Sequence, residues 1–150
     1  MHTRVIAKTL IFDDTGQVLV LRRSPDDSHR PGGYDFPGGS VHTGEIFEVG
    51  AVREIREETG FDCKTEDLQL VFTTCKMGRR SEDNVRINLI WMGFVTKMPV
   101  DQAVTLSEEH DKYAWLTLDE FLIATDHPAQ HTLINYIRNN KIAEDLWNTN

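Results

Sequence analysis

Three glutamates of this sequence, Glu54, Glu57 and Glu58, follow one another at a spacing that could hold a divalent cation. On a helical wheel at about 100° per residue, they share an arc of roughly 100°. Like charges at such a spacing cost roughly 0.2–0.5 kcal/mol per pair, whereas Mg²⁺ and Mn²⁺ require clustered oxygen ligands of this kind. The same spacing is also typical of a solvated, salt-bridged helix face.

The residues around the glutamates help to decide between a cation site and a solvated helix face. Pro37–Gly39 is a glycine-rich segment whose backbone amides and carbonyls can approach a ligand closely. Gly50 lies one turn before the first glutamate, where its missing side chain would let a phosphate or a metal-bound water approach. Arg53 can pair with the glutamate one turn later, and Glu45 is expected to hold the loop or to pair with Arg53. On these grounds alone, a metal–phosphate cradle and a solvated helix face both stay open.

Composition and charge narrow the function classes. The chain has 150 residues, 39% of them hydrophobic and 27% charged, which predicts a single soluble globular domain over residues 1–150. The formal net charge of −8 disfavours a nucleic-acid polymer as partner but allows a small anionic substrate. No apolar run is suited to a signal peptide or a membrane span, and Cys63 and Cys75 are expected to be reduced thiols of a cytoplasmic protein.

The elements that must position these residues follow from periodicity and turn signals. Strands are predicted at 4–12 and 17–23, joined as a hairpin by the turn Asp13–Gly16, and at 68–76, 85–95 and 112–116. Loops are predicted at 24–39 and 78–84. Helices are predicted at 45–59, with Thr43 as N-cap and Gly60 as the end, then briefly from Thr117, and from Pro128 to about Asn140. This order predicts a mixed sheet packed between helices, an α/β or α+β sandwich.

The segment from Gly39 to Phe61 resembles the signature of the Nudix family, G-x5-E-x7-R-E-U-x-E-E-x-G-U, in which U is a bulky apolar residue. All nine specified positions match, which chance would produce in a chain of this length at a frequency of roughly 10⁻⁷. The context is also similar to the family in the strand end Leu21–Arg23, the entry Phe36–Gly39, and Glu109–His110 with Tyr113 and Trp115. The matching positions are Gly39, Glu45, Arg53, Glu54, Ile55, Glu57, Glu58, Gly60 and Phe61.

The resemblance implies a single Nudix hydrolase domain of the α/β class, an α/β/α sandwich with a mixed β-sheet. It implies an enzyme that uses Mg²⁺ or Mn²⁺ to hydrolyse a nucleoside diphosphate linked to another group. Because no glutamate of the signature is missing, an enzyme is favoured over a module that senses a nucleotide without cleaving it, and over an interaction protein. The implied metal ligands are Glu54, Glu57, Glu58 and the carbonyl of Gly38.

Catalytic roles follow from the same resemblance. Arg53 would orient the glutamates, and a water activated by the metal and by a general base would attack phosphorus. The base would be Glu54 or a carboxylate outside the signature, for which Glu109 is the best candidate and Glu108 its rival. His42 stands where many family members have a glutamate, and this departure is expected to alter the loop over the metal. His110 is expected to pack the loop rather than to bind a ligand.

The substrate is far less determined by the sequence. Arg22 and Arg23 end a strand, so that one of them would face the substrate phosphates and the other solvent. Further candidate substrate contacts are Gly39, Arg79 and Asn88, with Phe36, Phe72, Arg80 and Arg86 as weaker candidates. A nucleoside triphosphate, including oxidised ones, is favoured, with monophosphate and pyrophosphate as products. Dinucleoside polyphosphates, dihydroneopterin triphosphate and nucleotide sugars are alternatives, and the protein is expected to be a monomer or a homodimer.

Overall fold

The computed structural model describes residues 2–148, which form one mixed β-sheet with helices on both faces. The strands are β1 (His2–Phe12), β2 (Val18–Arg23), β3 (Tyr34–Asp35), β4 (Gly38–Ser40), β5 (Gln69–Arg79), β6 (Arg86–Lys97) and β7 (His110–Leu116). The helices are α1 (Phe47–Thr59), α2 (Leu118–Ala124), α3 (Pro128–Asn139) and α4 (Ile142–Asn148), with a 3₁₀ turn at Thr65–Asp67. The predicted mixed sheet between helices is confirmed. No helix among the described residues is both long and apolar enough to cross a membrane.

The sheet is organised by the divergence of β1 and β2. These strands form the predicted hairpin, but their Cα pairing is confined to Phe12 and Val18 beside the turn. Beyond it, β1 runs parallel to β6 along its whole length, whereas β2 pairs with β7. The segment Tyr34–Ser40 bridges the gap, because β3 pairs with β2 and β4 pairs with β1. This bridge carries the glycine-rich segment to the middle of the sheet.

Two apolar clusters pack on opposite faces of the sheet. Alternation along β1 and β2 sends successive side chains to different faces, as the pleat requires. One cluster lies under α1 and the other under α2 and α3, so that the architecture is the expected α/β/α sandwich. The first cluster includes Ala7, Ile11, Leu19, Leu21, Ala51, Ile55, Phe61 and Phe94. The second includes Leu10, Phe12, Val18, Val20, Phe36, Val95, Phe121, Leu133, Ile134 and Ile137.

The start of α1 differs from the prediction. The helix begins at Phe47 rather than at 45, and its N-cap is Ile46 without a side-chain hydrogen bond. Thr43 was predicted as the N-cap but lies in a turn before the helix. Glu45 is drawn out of the helix because its carboxylate binds the His42 N–H and Arg53. At the other end, Gly60 stops the helix as predicted, in a left-handed conformation (φ 75°) with its N–H bonded to the Arg56 carbonyl.

Other differences arise from long-range pairing. The predicted loop 24–39 contains β3 and the start of β4, which are strands only because β2 and β1 supply their partners. The polar segment between β5 and β6 is shorter than expected because β5 extends to Arg79, although β6 begins at Arg86, one residue later than predicted. The 3₁₀ turn at Thr65–Asp67 and α4 were not predicted.

We expect Gly38→Ala to destabilise the protein by about 3 kcal/mol or more. Gly38 has φ 147°, and a Cβ there would lie 2.0 Å from the Ala7 carbonyl oxygen on β1. The matched control is Gly44→Ala, since Gly44 also has a positive φ (81°) but nothing within 4 Å of its Cβ position. That variant should lose only about 1 kcal/mol. Thermal unfolding measures both, and equal losses would show that close approach of β4 to β1 is not the constraint.

Candidate active site

A pocket of about 460 Å³ opens where β1, the bridge Tyr34–Ser40 and α1 meet. It brings together eight of the predicted site residues. Two walls of opposite charge line it: carboxylates from α1 and the loop before β7, and cations from β1, β2 and the loop after β2. The predicted residues that it joins are Arg23, Gly38, Gly39, Arg53, Glu54, Glu57, Glu58 and Glu109.

Arg53 is the centre of the acidic wall. Its guanidinium donates to both carboxylate oxygens of Glu45, at 2.8 and 3.0 Å, in a bidentate pair. It also donates to Glu54 at 3.1 Å, to Glu57 at 3.3 Å, and to the Ser40 carbonyl at 3.0 Å. The hydrogen bond from Arg53 is the main cause that lowers the pKa of Glu45 to about 2. One cation therefore offsets the like-charge repulsion within the cluster, and the predicted Glu45–Arg53 pair is confirmed.

Two glycines leave room for carboxylates. A Cβ on Gly39 would lie 2.8 Å from the carboxylate of Glu54, so this glycine lets the glutamate reach β4. Gly50 was expected to leave room for a phosphate or a metal-bound water. The space above it is instead taken by Glu45, whose Oε1 would lie 2.7 Å from a Cβ there. Gly50 thus serves the Glu45–Arg53 pair, because α1 needs a small residue where that pair crosses it.

Glu58 occupies the deepest position and is only 3% exposed. Its Oε1 accepts a hydrogen bond from the Gly38 N–H at 3.3 Å. Its Oε2 lies 3.5 Å from Nδ1 of His110 and has no hydrogen-bond partner within residues 2–148. Burial raises the pKa of Glu58 to about 8 and lowers the pKa of His110 to about 4. Burial therefore favours the uncharged form of both side chains.

Beneath the glutamates lies a buried ion pair that joins β1 to the bridge. The Nζ of Lys8 donates to Asp35 Oδ2 at 2.9 Å and to the carbonyls of Phe36 and Gly38 at 3.3 and 3.2 Å. Arg23 donates to the same Asp35 oxygen at 3.1 Å. Although burial raises the pKa of Asp35, the charges of Lys8 and Arg23 lower it to about 2. The carboxylate is therefore ionised at neutral pH.

The strand-end arginines separate as alternation requires. Arg23 lines the pocket, whereas Arg22 forms a bidentate pair with Asp111 at 2.8–2.9 Å and does not line it. Arg79 and Asn88 also lie outside the pocket lining. Arg79 donates to the Asn84 carbonyl within its own hairpin, and the extended strands of that hairpin carry both residues past the site.

Several pocket residues were missed by the sequence analysis. They are Arg4, Ile6, Lys8, Arg30, Asp35, Trp91 and His127, with Ser40 of β4. His42, which was expected to alter the loop over the metal, also lines the pocket. Trp91 of β6 stacks on His127 with ring centroids 5.8 Å apart at 26°. The available signal was a lysine in the apolar strand β1 and an isolated aspartate before Phe36. Of the aromatic candidates, Phe36 is buried in the core against Phe121, and Phe72 packs on Tyr136.

The oxygen donors in this pocket fit a hard divalent cation. Glu54, Glu57 and Glu58 line the pocket, and Gly38 contributes a carbonyl. The buried Oε2 of Glu58 has no hydrogen-bond partner among residues 2–148. As they stand, no three His, Cys, Asp or Glu side chains of the described chain are grouped closely enough to hold a metal. Arg53 occupies oxygens of Glu54 and Glu57, so that a cation would have to compete with its guanidinium.

Comparison with known proteins decides the family. A profile of the NUDIX domain matches residues 2–137. The chain belongs to the Nudix family. The resemblance inferred from the signature is confirmed, and with it the assignment as a Nudix pyrophosphohydrolase. The pocket described above therefore lies on the Nudix signature, and three of the signature's four glutamates, Glu54, Glu57 and Glu58, line it.

Relatives of known name and structure agree with this Nudix assignment. The chain is 31% identical over 129 residues to nucleoside triphosphatase NudI of Escherichia coli, covering 81% of this chain and 87% of that protein. It is 28% identical over 120 residues to a MutT-like protein of Streptomyces ambofaciens, covering 80% and 67%. The MutT protein from Methanosarcina mazei superposes with a TM-score of 0.71 at 28% identity, covering 93% and 96%. The NUDIX domain of Shewanella oneidensis NrtR, solved with ADP ribose, has a TM-score of 0.73 at 16% identity, which supports the fold alone.

The buried aspartate predicts a specific loss of stability in acid. The pKa of Asp35 is about 2 in the folded protein, below its ordinary value of 3.8. A depressed pKa stabilises the fold above the unfolded value, and this stabilisation is lost as pH falls from about 4 to about 2. We expect the wild type to lose about 2 kcal/mol more over this window than Lys8→Met/Asp35→Asn, which lacks the charge pair. Urea unfolding at several pH values measures the difference, and parallel curves would contradict it.

Proposed function

We propose that the protein hydrolyses a nucleoside triphosphate to the monophosphate and pyrophosphate, with Mg²⁺ or Mn²⁺ as cofactor. The observation that carries the proposal is that one pocket joins the signature glutamates to cations and to a stacked aromatic pair. Arg23 and Arg30 line it together with Trp91 and His127. A polyphosphate needs the cations, and a nucleobase needs a flat ring surface. The named relative NudI is itself a nucleoside triphosphatase, which supports the same substrate class.

The metal-binding residues in this proposal are Glu54, Glu57, Glu58 and the Gly38 carbonyl. A bound cation would neutralise phosphoryl oxygens and make the attacking water more acidic. Arg53 keeps the glutamates in one arc by binding two of them together with Glu45. Its role is to position the carboxylates rather than to contact the substrate.

Glu109 is the proposed alternative to Glu54 as general base. It lines the pocket from the loop before β7, and its neighbour Glu108 does not. Ser24 fixes this loop, since its N–H donates to the Glu109 carbonyl at 3.0 Å and its hydroxyl donates to the Glu108 carbonyl at 2.8 Å. The backbone of Glu109 is therefore held while its carboxylate is free to accept a proton from water.

The stacked pair at the other end of the pocket is proposed to receive the base. Trp91 stands beside Ile6 in the β1–β6 register, and both line the pocket. Burial is the main cause that lowers the pKa of His127, and the positive charge of Arg30 lowers it further. This shift favours the uncharged ring of His127, which offers an aromatic face without a competing positive charge. A cytoplasmic enzyme acting on free nucleotides, as a monomer or homodimer, is part of the same proposal.

Replacing the signature glutamates should abolish hydrolysis. With Mg²⁺, we expect the wild type to cleave a nucleoside triphosphate from a panel that also contains dinucleoside polyphosphates, dihydroneopterin triphosphate, ADP-ribose and nucleotide sugars. Glu57→Gln and Glu58→Gln should lose more than about 100-fold in kcat, because even outer-shell partners of a metal contribute 10–100-fold. Glu48→Gln is the control, since Glu48 lies on the same helix but outside the pocket lining.

Product chromatography distinguishes the alternatives for this panel. Preferential cleavage of a nucleotide sugar or a dinucleoside polyphosphate would replace the proposed substrate class but keep the enzyme. If nucleotides raise the melting temperature with Mg²⁺ and none is cleaved, the protein is a sensing module. Unchanged kcat in both glutamine variants would remove the glutamates from the mechanism.

Trp91→Ala should weaken the binding of nucleotides selectively. Stacking on an aromatic ring contributes about 1–3 kcal/mol per base, so KM for the nucleoside triphosphate should rise at least about 5-fold. KM for inorganic tripolyphosphate should not change, because it has no base. Trp147→Ala is the matched control, since Trp147 stacks under Lys97 and does not line the pocket. An equal rise for both substrates would place the base elsewhere.

A further inference from the structure

The ammonium of Lys8 has no donor left for a substrate. It is 5% exposed, and an ammonium group carries three N–H donors. Three acceptors lie within hydrogen-bond distance of Nζ: Asp35 Oδ2, the Phe36 carbonyl and the Gly38 carbonyl. A buried lysine beside a polyphosphate pocket would ordinarily be assigned to substrate binding. Here the donor count favours a role inside the protein.

The three acceptors of Lys8 belong to one short stretch of chain, the bridge Tyr34–Ser40 that contains β3 and β4. Its first acceptor, Asp35, is held independently from three sides. Arg23 of β2 donates to Oδ2 at 3.1 Å, Gln130 of α3 donates to Oδ1 at 2.9 Å, and the Phe36 N–H donates to Oδ1 at 2.8 Å. The carboxylate is therefore a fixed point, and Lys8 spans from this point to the Gly38 carbonyl. Its own backbone is opposite Gly38 in the β1–β4 register.

A carbonyl oxygen has two lone pairs, so the Gly38 oxygen can accept from Lys8 and still bind a cation. We propose that Lys8 is a positioning residue of the active site, which holds the Gly38 carbonyl in its metal-binding orientation before and after a cation binds. This inference rests on the metal-dependent function proposed above. Lys8 acts through Gly38 and touches neither the cation nor the substrate.

Two possible roles of Lys8 predict opposite effects on metal binding. An ammonium close to a divalent cation would repel it, so a purely electrostatic role predicts tighter metal binding when Lys8 is removed. Positioning predicts weaker binding. Asp35 neutralises the ammonium at 2.9 Å, which reduces the repulsion and leaves the orientation of the carbonyl as the dominant effect.

The experiment measures Mn²⁺ affinity by electron paramagnetic resonance of the free ion, without substrate. The variant is Lys8→Met/Asp35→Asn, which removes both charges of the buried pair, while Arg23 keeps Asp27 as an ion-pair partner. We expect its Kd for Mn²⁺ to rise at least about 10-fold, the range seen for outer-shell partners of metal ligands. The control is Arg138→Met/Asp119→Asn, which removes an ion pair between α3 and α2 outside the pocket and should leave Kd unchanged.

Unchanged or tighter Mn²⁺ binding in the Lys8→Met/Asp35→Asn protein would overturn the inference while leaving the proposed function intact. If the wild type itself fails to bind Mn²⁺, the metal-dependent function fails and the inference fails with it. A second measurement on the wild type does not depend on the folding of a variant. The ¹⁵N-ammonium signal of Lys8 should stay protected from exchange with and without saturating Mg²⁺. Loss of protection on adding Mg²⁺ would show that Lys8 leaves the carbonyl, contrary to the proposal.

Discussion

The Arg53 guanidinium binds Glu45, Glu54, Glu57 and the Ser40 carbonyl, and so ties the loop before α1, the helix and β4 together. The carboxylates of Glu45, Glu54 and Glu57 converge on this guanidinium, and their mutual repulsion would otherwise oppose the packing of α1 against the sheet. A planar guanidinium with five donors can satisfy several of them at once, which the point charge of a lysine could not. The geometry of the acidic wall is therefore a consequence of this one side chain.

Charge balance in the pocket is completed from the opposite side by the sheet. Lys8 donates from β1 to the Gly38 carbonyl, and its partner Asp35 also accepts from Arg23. β4 can lie close to β1 because residue 38 is a glycine, and Glu54 of α1 can reach β4 because residue 39 is a glycine. The result is a site whose backbone is already held by internal hydrogen bonds. A ligand that enters it has few groups left to order, which reduces the entropic cost of binding.

Much of the acidic wall could be predicted from the sequence because it depends on helix spacing, which is local. The pairing of Glu45 with Arg53 was also expected, although Glu45 lies before α1 and reaches Arg53 from outside the helix. Lys8 could not be predicted in the same way, since a single lysine in an apolar strand has no local partner, and Asp35 becomes its partner only through the pairing of β4 with β1. Trp91 is similar, because its place in the pocket depends on the parallel register of β6. The strands of the sheet were largely predicted, but apart from the β1–β2 hairpin it was not predicted which strands would be neighbours.

The confinement of the β1–β2 hairpin to its turn has a consequence for the order of folding. Each strand finds its long partner only late in the chain: β1 pairs with β6 from His2 opposite Ile87, and β2 pairs with β7 from Val18 opposite Leu116. Contacts so distant in sequence slow folding, because the entropy of closing a long loop is lost before the contact is gained. During synthesis, the helix with its glutamates emerges well before the strands that complete the sheet beneath it. Until then, the edge of β1 that pairs with β6 and the edge of β2 that pairs with β7 stay unpaired. The emerging chain is therefore most exposed to aggregation or to chaperones until β6 and β7 have left the ribosome.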